Sequence, residues 1–113
     1  MLVALEGVTI WVPAVWSLEI ANAILAGERA KRLHQPEIRR FTTLLEGLPI
    51  VLDAQSASED IGKVLPIARE YGLSAYDAAY LELSIRRGAA LATLDSKLQK
   101  AARRAGVGIF KLR

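Results

Sequence analysis

The sequence predicts an α/β domain with a mostly parallel sheet flanked by helices. Short apolar runs alternate with longer helix-like segments along the chain, an order that favours parallel strands joined by right-handed crossovers. The first run, Val8–Val12, is β-branched and aromatic, which is typical of a strand buried on both faces. The chain has 113 residues, 52% of them hydrophobic and 24% charged, without an internal repeat or linker. These observations predict one globular domain over residues 1–113.

The first half of the chain is predicted to contain two strands with helical segments around them. Glycine or proline follows most of these elements, as expected where helices and strands end. The polar and basic segment Glu28–His34 either continues the helix before it or forms a loop. In order, the predicted elements are the end of a helix (Met1–Gly7), a strand (Val8–Val12), a helix that is apolar on nearly all sides (Ala14–Ala26), a helix opened by proline (Pro36–Glu46) and a short strand (Leu48–Leu52).

The second half carries clearer helix signals. Ser56-x-x-Glu59 has the form of a capping box, which marks the start of a helix. Glycine follows each helix-like segment and is suited to ending it. In order, the predicted elements are a helix after this box that ends at Tyr71, a helix (Ser74–Arg87), a strand (Ala89–Leu94), a helix (Asp95–Ala105) and a last strand (Val107–Leu112).

The composition excludes several classes of protein. The chain has no cysteine, which excludes disulfides, thiolate zinc sites and a cysteine nucleophile. No apolar run approaches the ~20 residues of a membrane span, and the opening residues lack the pattern of a signal peptide. We therefore expect a cytoplasmic protein.

Positive charge is concentrated in two parts of the sequence. The formal net charge is only +3, but residues 96–113 contain six basic side chains and no acidic one. Such clusters are either solvated helix faces or a surface for an anionic partner such as nucleic acid. The two clusters consist of Arg29, Lys31, Arg32, Arg39 and Arg40, and of Lys97, Lys100, Arg103, Arg104, Lys111 and Arg113.

Three acidic residues are predicted to reach the edge of the sheet where the strands end. Glu19 lies two turns into the helix after the first strand, Asp77 lies in the first turn of a helix, and Asp95 directly follows a strand. In open parallel sheets, functional sites gather beyond the carboxyl ends of the strands. Carboxylates gathered there repel each other, and a hard divalent cation such as Mg²⁺ or Mn²⁺ relieves the repulsion. Such a cation can activate water and support an in-line displacement at phosphorus.

Each of these acids also has a purely structural interpretation. Ser74-x-x-Asp77 has the form of a capping box whose aspartate favours the helix dipole. Asp95 could be the N-cap of the last helix, although Ser96 offers a competing cap one residue later. Glu19 could be an ordinary surface glutamate. The aromatic side chains are expected in the core rather than as base-stacking platforms; they are Trp11, Trp16, Tyr76 and Tyr80.

Two stretches carry a resemblance to a known family. The strings VPAVWSLEIANAIL and GLSAYDAAYLELSIRRGAALATLDSKLQKAARRAGV, with the final GIF, resemble the PIN-domain nucleases, in particular the VapC-type toxins of prokaryotic toxin–antitoxin pairs. The resemblance covers nearly the whole chain. It implies a Mg²⁺- or Mn²⁺-dependent ribonuclease that a cognate antitoxin holds inactive and that is usually dimeric.

The resemblance also implies roles for individual residues. The second, third and fourth acidic positions of the family fall on Glu19, Asp77 and Asp95, as catalytic and metal-binding residues. Positions that commonly border the site fall on Asn22, Ser74 and Thr93. Basic residues from the two clusters would hold the RNA backbone, and the candidates are Arg39, Arg40, Lys97 and Lys100.

The chain departs from the family at its start. The family opens with a strand that ends in an aspartate and lies in the sheet between the strands matched by Val8–Val12 and Ala89–Leu94. That strand is expected to be absent here, as in an N-terminally truncated domain, because the first aspartate is Asp53, after a different strand. Such a gap would leave two strand edges unpaired. A start further upstream, a second chain or copy that completes the sheet, and a decayed homologue without activity are the alternatives.

Two functions from different classes therefore stay open. One is a metal-dependent endoribonuclease of the toxin type. The other is a non-catalytic module that binds an antitoxin or another partner chain. A small phosphate-binding α/β protein is a weaker third alternative, because the sequence has no glycine-rich phosphate loop.

Overall fold

The computed structural model describes residues 3–6 and 9–110, with side chains from residue 9 onward. Within these residues it contains four strands and five helices, in an alternating order that confirms the α/β class. The strands are β1 (Val3–Glu6), β2 (Thr9–Pro13), β3 (Ile50–Asp53) and β4 (Ala90–Ala92). The helices are α1 (Val15–Arg29), α2 (Gln35–Glu46), α3 (Ala57–Tyr71), α4 (Ala75–Arg87) and α5 (Ser96–Arg104).

The four described strands form one sheet in the order β3-β2-β1-β4. β2 and β3 pair in parallel, whereas β1 is antiparallel to both of its neighbours, β2 and β4. Three of the strands, β2, β3 and β4, therefore run in the same direction. Beside β4, a single parallel bridge joins Leu91 to Ile109. The expected last strand is thus a single bridge, and its final residues lie outside the described part of the chain.

The position of β1 corrects the expectation of a missing central strand. The sequence predicted the end of a helix over Met1–Gly7, but Val3–Glu6 is a strand between β2 and β4. Ala4 lies opposite Trp11 on one side and Leu91 on the other. As a strand, this segment provides hydrogen-bond partners for the backbone N–H and C=O groups on the facing edges of β2 and β4. A helix at the same place would leave those groups unpaired. The gap expected from the resemblance is therefore filled by the chain itself.

The helix ends follow their sequence signals closely. The hydroxyl of Ser56 accepts a hydrogen bond from the backbone N–H of Glu59, and the Glu59 carboxylate accepts one from the backbone of Ser56. The predicted capping box is thus confirmed. α3 and α4 end at Gly72 and Gly88, whose φ angles of 62° and 63° lie in the left-handed region that glycine adopts without strain.

The core is centred on α4. Tyr80 and Leu81 of this helix pack with Val12 of β2, Leu91 of β4 and Leu98 of α5. α1 is different, although it is apolar on nearly all sides. Its buried residue is Trp16, whereas Leu18 is 69% exposed.

The expected core aromatics divide in the same way. Trp16 and Tyr80 are buried and Trp11 is half-buried, so these expectations hold. Tyr76 was wrongly expected in the core, since it is 63% exposed at the start of α4. In residues 3–6 and 9–110, no helix combines the length and the hydropathy needed to cross a membrane.

Candidate functional site

The three candidate acids lie at the edge of the sheet where β2 and β4 end. Glu19 is on α1, which follows β2, and Asp95 follows β4 before α5 begins. Asp77 is in the first turn of α4. Because β2 and β4 point in the same direction on either side of β1, their carboxyl ends share one edge.

The charges of Asp95 and Glu19 act on Asp77. The pKa of Asp77 is raised above its ordinary value, first by burial of the carboxyl and then by the negative charges of Asp95 and Glu19. A hydrogen bond with the Ser74 hydroxyl and the positive charge of Lys97 oppose this shift in part. Asp77 is therefore a carboxylate held in unfavourable surroundings that nearby positive charge only partly relieves.

The structural roles expected for the aspartates are present in part. The Ser74 hydroxyl accepts from the backbone N–H of Asp77 at 3.1 Å, and Ser74 is the N-cap of α4. Asp95 is the N-cap of α5, and its Oδ1 accepts from the backbone N–H of Lys97 at 2.9 Å. Asp95 thus combines a capping role with a place at the acidic edge, the name used below for Glu19, Asp77 and Asp95. At α4 the capping side chain is that of Ser74, and the described contacts do not include the reciprocal bond of a capping box from Asp77.

Thr93 holds the turn that carries Asp95. Its buried hydroxyl accepts a hydrogen bond from the backbone N–H of Asp95 at 3.1 Å. Its carbonyl accepts from Nε2 of Gln99 at 2.9 Å, which ties the end of β4 to α5. The side chain expected to border the site therefore fixes the backbone from which Asp95 projects.

Glu19 is tied to the core by a tyrosine. The Tyr80 hydroxyl donates a hydrogen bond to Oε1 of Glu19, across 61 residues of sequence. Tyr80 is only 1% exposed, and burial, followed by this hydrogen bond, raises the pKa of its hydroxyl far above the ordinary value. The sequence predicted that Tyr80 would be buried but missed the hydroxyl's partner. The available signal was the spacing of Tyr80, which lies three residues after Asp77 and therefore on the same face of the predicted helix.

The described carboxylates do not form a ready metal cluster. In the part of the chain that the structure describes, no three histidine, cysteine, aspartate or glutamate side chains are close enough to hold an ion as they stand. The raised pKa of Asp77 is consistent with this spacing. Charges influence one another over about 8 Å in physiological salt, whereas an ion needs its oxygen ligands at about 2.1 Å, so acids can interact without being close enough to bind one ion. The donor atoms, carboxylate oxygens, are nevertheless those that a hard divalent cation prefers.

Asp53 lies at the carboxyl end of β3 in a different setting. It is 8% exposed and contacts two guanidinium groups, with Nη1 of Arg86 and Nη2 of Arg87 each 3.1 Å from its Oδ1. Arg86 also binds the buried Glu82, with Nε and Oε2 3.0 Å apart. The hydrogen bond from Arg86 is the largest influence on Asp53 and lowers its pKa. These four residues, Asp53, Glu82, Arg86 and Arg87, are called the ion-pair cluster below. The i,i+4 spacing of Glu82 and Arg86 on a helix was a local signal for one pair, whereas no local pattern indicated the contacts with Asp53.

The remaining candidate residues differ in whether they interact with the acids. Lys97 acts electrostatically on Asp77, and Lys100 follows it on α5, where both are exposed. Asn22 is exposed on α1, three residues after Glu19. Arg39 and Arg40 are exposed on α2, and in the described residues neither makes an ion pair with an acid of the site. The structure thus brings Lys97 to the acids but does not link α2 to them.

A comparison with protein-family models decides the family. The model of the PIN domain matches residues 2–104. The chain belongs to the PIN domain family. PIN domains are generally nucleases and typically use divalent metals, so the acidic edge lies in a protein of a nuclease superfamily. A search of curated proteins found no match to this chain.

Proposed function

We propose that this PIN domain protein is a metal-dependent endoribonuclease of the VapC toxin type. The observation that carries the proposal is the placement of Glu19, Asp77 and Asp95 at one edge of the sheet, where burial, followed by the charges of Asp95 and Glu19, raises the pKa of Asp77. Uncompensated carboxylates at the carboxyl edge of an α/β sheet are what a divalent cation would stabilise. Family membership supplies the reaction class, which is hydrolysis of a nucleic acid phosphodiester.

Mg²⁺ or Mn²⁺ would be held by Asp77 and Asp95, with Glu19 as the third acid. Mg²⁺ usually keeps several waters and binds through one or two carboxylates, so a closed cluster of three protein ligands is not required. When bound, the cation supplies charge stabilisation for an in-line displacement at phosphorus. The donor set of this chain fits such an ion by chemical type.

The chain's own residues would orient the acids and the RNA. Thr93 fixes the turn at Asp95, and Ser74 caps the helix that carries Asp77. Lys97 and Lys100 are the nearer basic residues for the phosphate backbone, since Lys97 already influences Asp77. Arg39 and Arg40 would act only on a longer RNA that reaches α2.

An RNA cleavage assay tests the proposal. Purified protein is incubated with structured RNA and MnCl₂ or MgCl₂, beside the variants Asp77→Asn and Asp95→Asn. Both variants should lower cleavage by about a hundredfold or more. Glu70→Gln, which changes an exposed acid on α3, should leave it unchanged. Cleavage that survives both aspartate substitutions contradicts the assignment.

A second candidate function is a non-catalytic module that binds a cognate antitoxin, a second copy or another partner chain. It is favoured by exposed apolar side chains such as Leu18, Tyr76 and Leu94. This function is also compatible with the finding that, among the described residues, the acids do not form a cluster that could hold an ion as they stand. Titration with MnCl₂ separates the two functions. A folded protein that binds no Mn²⁺ in the low-millimolar range would favour the binding module.

A further inference from the structure

A side-chain hydrogen bond joins Glu19 of α1 to Tyr80 of α4. Among the described residues, two α1 side chains accept hydrogen bonds from other helices: Glu28 from Gln35 of α2, and Glu19 from Tyr80 of α4. The α1 helix packs on the core through the buried Trp16 and the partly buried Val15 and Ile20. These contacts fix the backbone of α1, whereas the exposed Glu19 side chain is held at its carboxylate by Tyr80.

The two partners differ sharply in their surroundings. Glu19 is an exposed residue whose flexible carboxylate could turn fully into water, which would keep its side-chain entropy. Tyr80 is buried among core side chains and lies one helical turn after Asp77 on α4. A fixed donor in the core thus directs a mobile acid towards the helix that carries another acid of the site.

We propose that Tyr80 is a positioning residue that holds Glu19 beside Asp77 for cation binding. The hydroxyl engages one carboxylate oxygen, Oε1, whereas Oε2 of Glu19 has no hydrogen-bond partner among the described residues and would be available to an ion or its water. Partners that orient metal-binding side chains in this way commonly strengthen metal binding. The inference rests on the proposed function, because it assigns Tyr80 a role at the same site.

A measurement without metal tests the pairing in solution. Protein labelled with ¹³C at the tyrosine ζ carbon gives one NMR signal for each tyrosine. The signal of Tyr80 should move in Glu19→Gln and stay in place in Glu70→Gln. A Tyr80 signal that does not respond to Glu19→Gln overturns the pairing. Because neither variant alters Tyr80, the result does not depend on whether a Tyr80 variant folds.

A measurement with MnCl₂ tests the positioning. Binding is followed by electron paramagnetic resonance of free Mn²⁺ in the wild type, Tyr80→Phe, Glu19→Gln and the double variant. Tyr80→Phe should raise the Kd about tenfold, at the low end of the effect of such partners. It should have no further effect in the Glu19→Gln background. The matched control is Tyr76→Phe, which removes the same hydroxyl from an exposed position on the same helix.

The outcomes separate this inference from the proposed function. Wild-type protein that binds no Mn²⁺ overturns the proposed function and the positioning role with it. Wild-type binding with an unchanged Kd in Tyr80→Phe overturns the positioning role alone. An equal loss in the presence and absence of Glu19 also overturns it, because Tyr80 would then act by another route.

Discussion

Two groups of charged residues occupy the same edge of the sheet and have opposite electrostatics. In the ion-pair cluster, Asp53 and Glu82 are matched by Arg86 and Arg87, and the pKa of Asp53 is lowered. At the acidic edge, the pKa of Asp77 is raised, first by burial and then by the charges of Asp95 and Glu19.

The difference lies in the source of the compensating charge. The ion-pair cluster carries its own cations on α4, and Arg87 also stacks over Trp11, 3.5 Å from the ring centroid. The acidic edge has Lys97 as a nearby positive charge, on an exposed side chain. A carboxylate at a strand end is thus a structural residue where guanidinium groups neutralise it. Such a carboxylate is a candidate metal ligand where nearby positive charge neutralises it only in part.

The largest expected effect comes from neutralising one aspartate in each region. Asp77→Asn should lower RNA cleavage by about a hundredfold or more, because the bound cation contributes several kcal/mol to the transition state. Asp53→Asn should lower stability and leave the cleavage rate of the folded protein within a few-fold of wild type. Initial rates and urea unfolding of both variants check this. Equal loss of cleavage in folded Asp53→Asn would abolish the distinction between the regions.

The next effect is on stability and concerns Arg86. Arg86→Met should lower the free energy of unfolding by about 2–4 kcal/mol, since it leaves the buried Asp53 and Glu82 without their shared partner. The estimate is moderate because the Arg86 side chain is 24% exposed. Urea titration measures it, with Arg69→Met on the exposed side of α3 as the control. A loss no larger than that of the control would show that the cluster stabilises little.

The pH dependence of stability should have opposite signs in the two regions. The folded-state pKa of Asp77 is raised, so its contribution to stability is full below its ordinary pKa of 3.8 and is lost as the pH rises through the folded-state value. Relative to wild type, Asp77→Asn should therefore become more stable from pH 4 upward, by less than about 1.4 kcal/mol per unit of pH.

Asp53 should behave in the reverse manner. Its folded-state pKa is lowered, so its contribution is present above 3.8 and is lost as the pH falls through the folded-state value. Relative to wild type, the deficit of Asp53→Asn should be largest near neutral pH and should shrink in acid. Urea unfolding at a series of pH values tests both signs, and parallel curves for the two variants would contradict the comparison.

The smallest effect should come from Lys97. Lys97→Met should weaken RNA binding by a few-fold and reduce the salt dependence of binding by about one phosphate contact. Fluorescence anisotropy with labelled RNA at several salt concentrations checks it, with Lys63→Met on α3 as the matched control. An unchanged salt slope would exclude Lys97 from the RNA contact.

Local signals account for what the sequence predicted well. The capping box of Ser56 and Glu59 and the glycines that end α3 and α4 act through neighbouring residues, so they could be interpreted from short segments. The place of Glu19, Asp77 and Asp95 near one edge followed from the alternation of strands and helices. The roles given to these three residues came from the family resemblance and stay predictions.

Distant partners account for what the sequence did not predict. Val3–Glu6 is a strand because its backbone pairs with β2 and with β4, far along the chain. The contacts of Asp53 with Arg86 and of Glu19 with Tyr80 likewise join residues 33 and 61 positions apart. No local pattern specifies such pairs, because the fold alone brings them together.

The place of β1 has a consequence for the way in which the sheet assembles. β1 and β2 are consecutive antiparallel strands, and hairpins of this kind form within about 1–10 μs. Pairing of β1 with β4 instead joins segments near opposite ends of the chain, which requires closure of a long loop. We expect the sheet to grow from the β1–β2 hairpin and β4 to dock late. The acidic edge, which needs both β2 and β4, would then be among the last parts of the molecule to form.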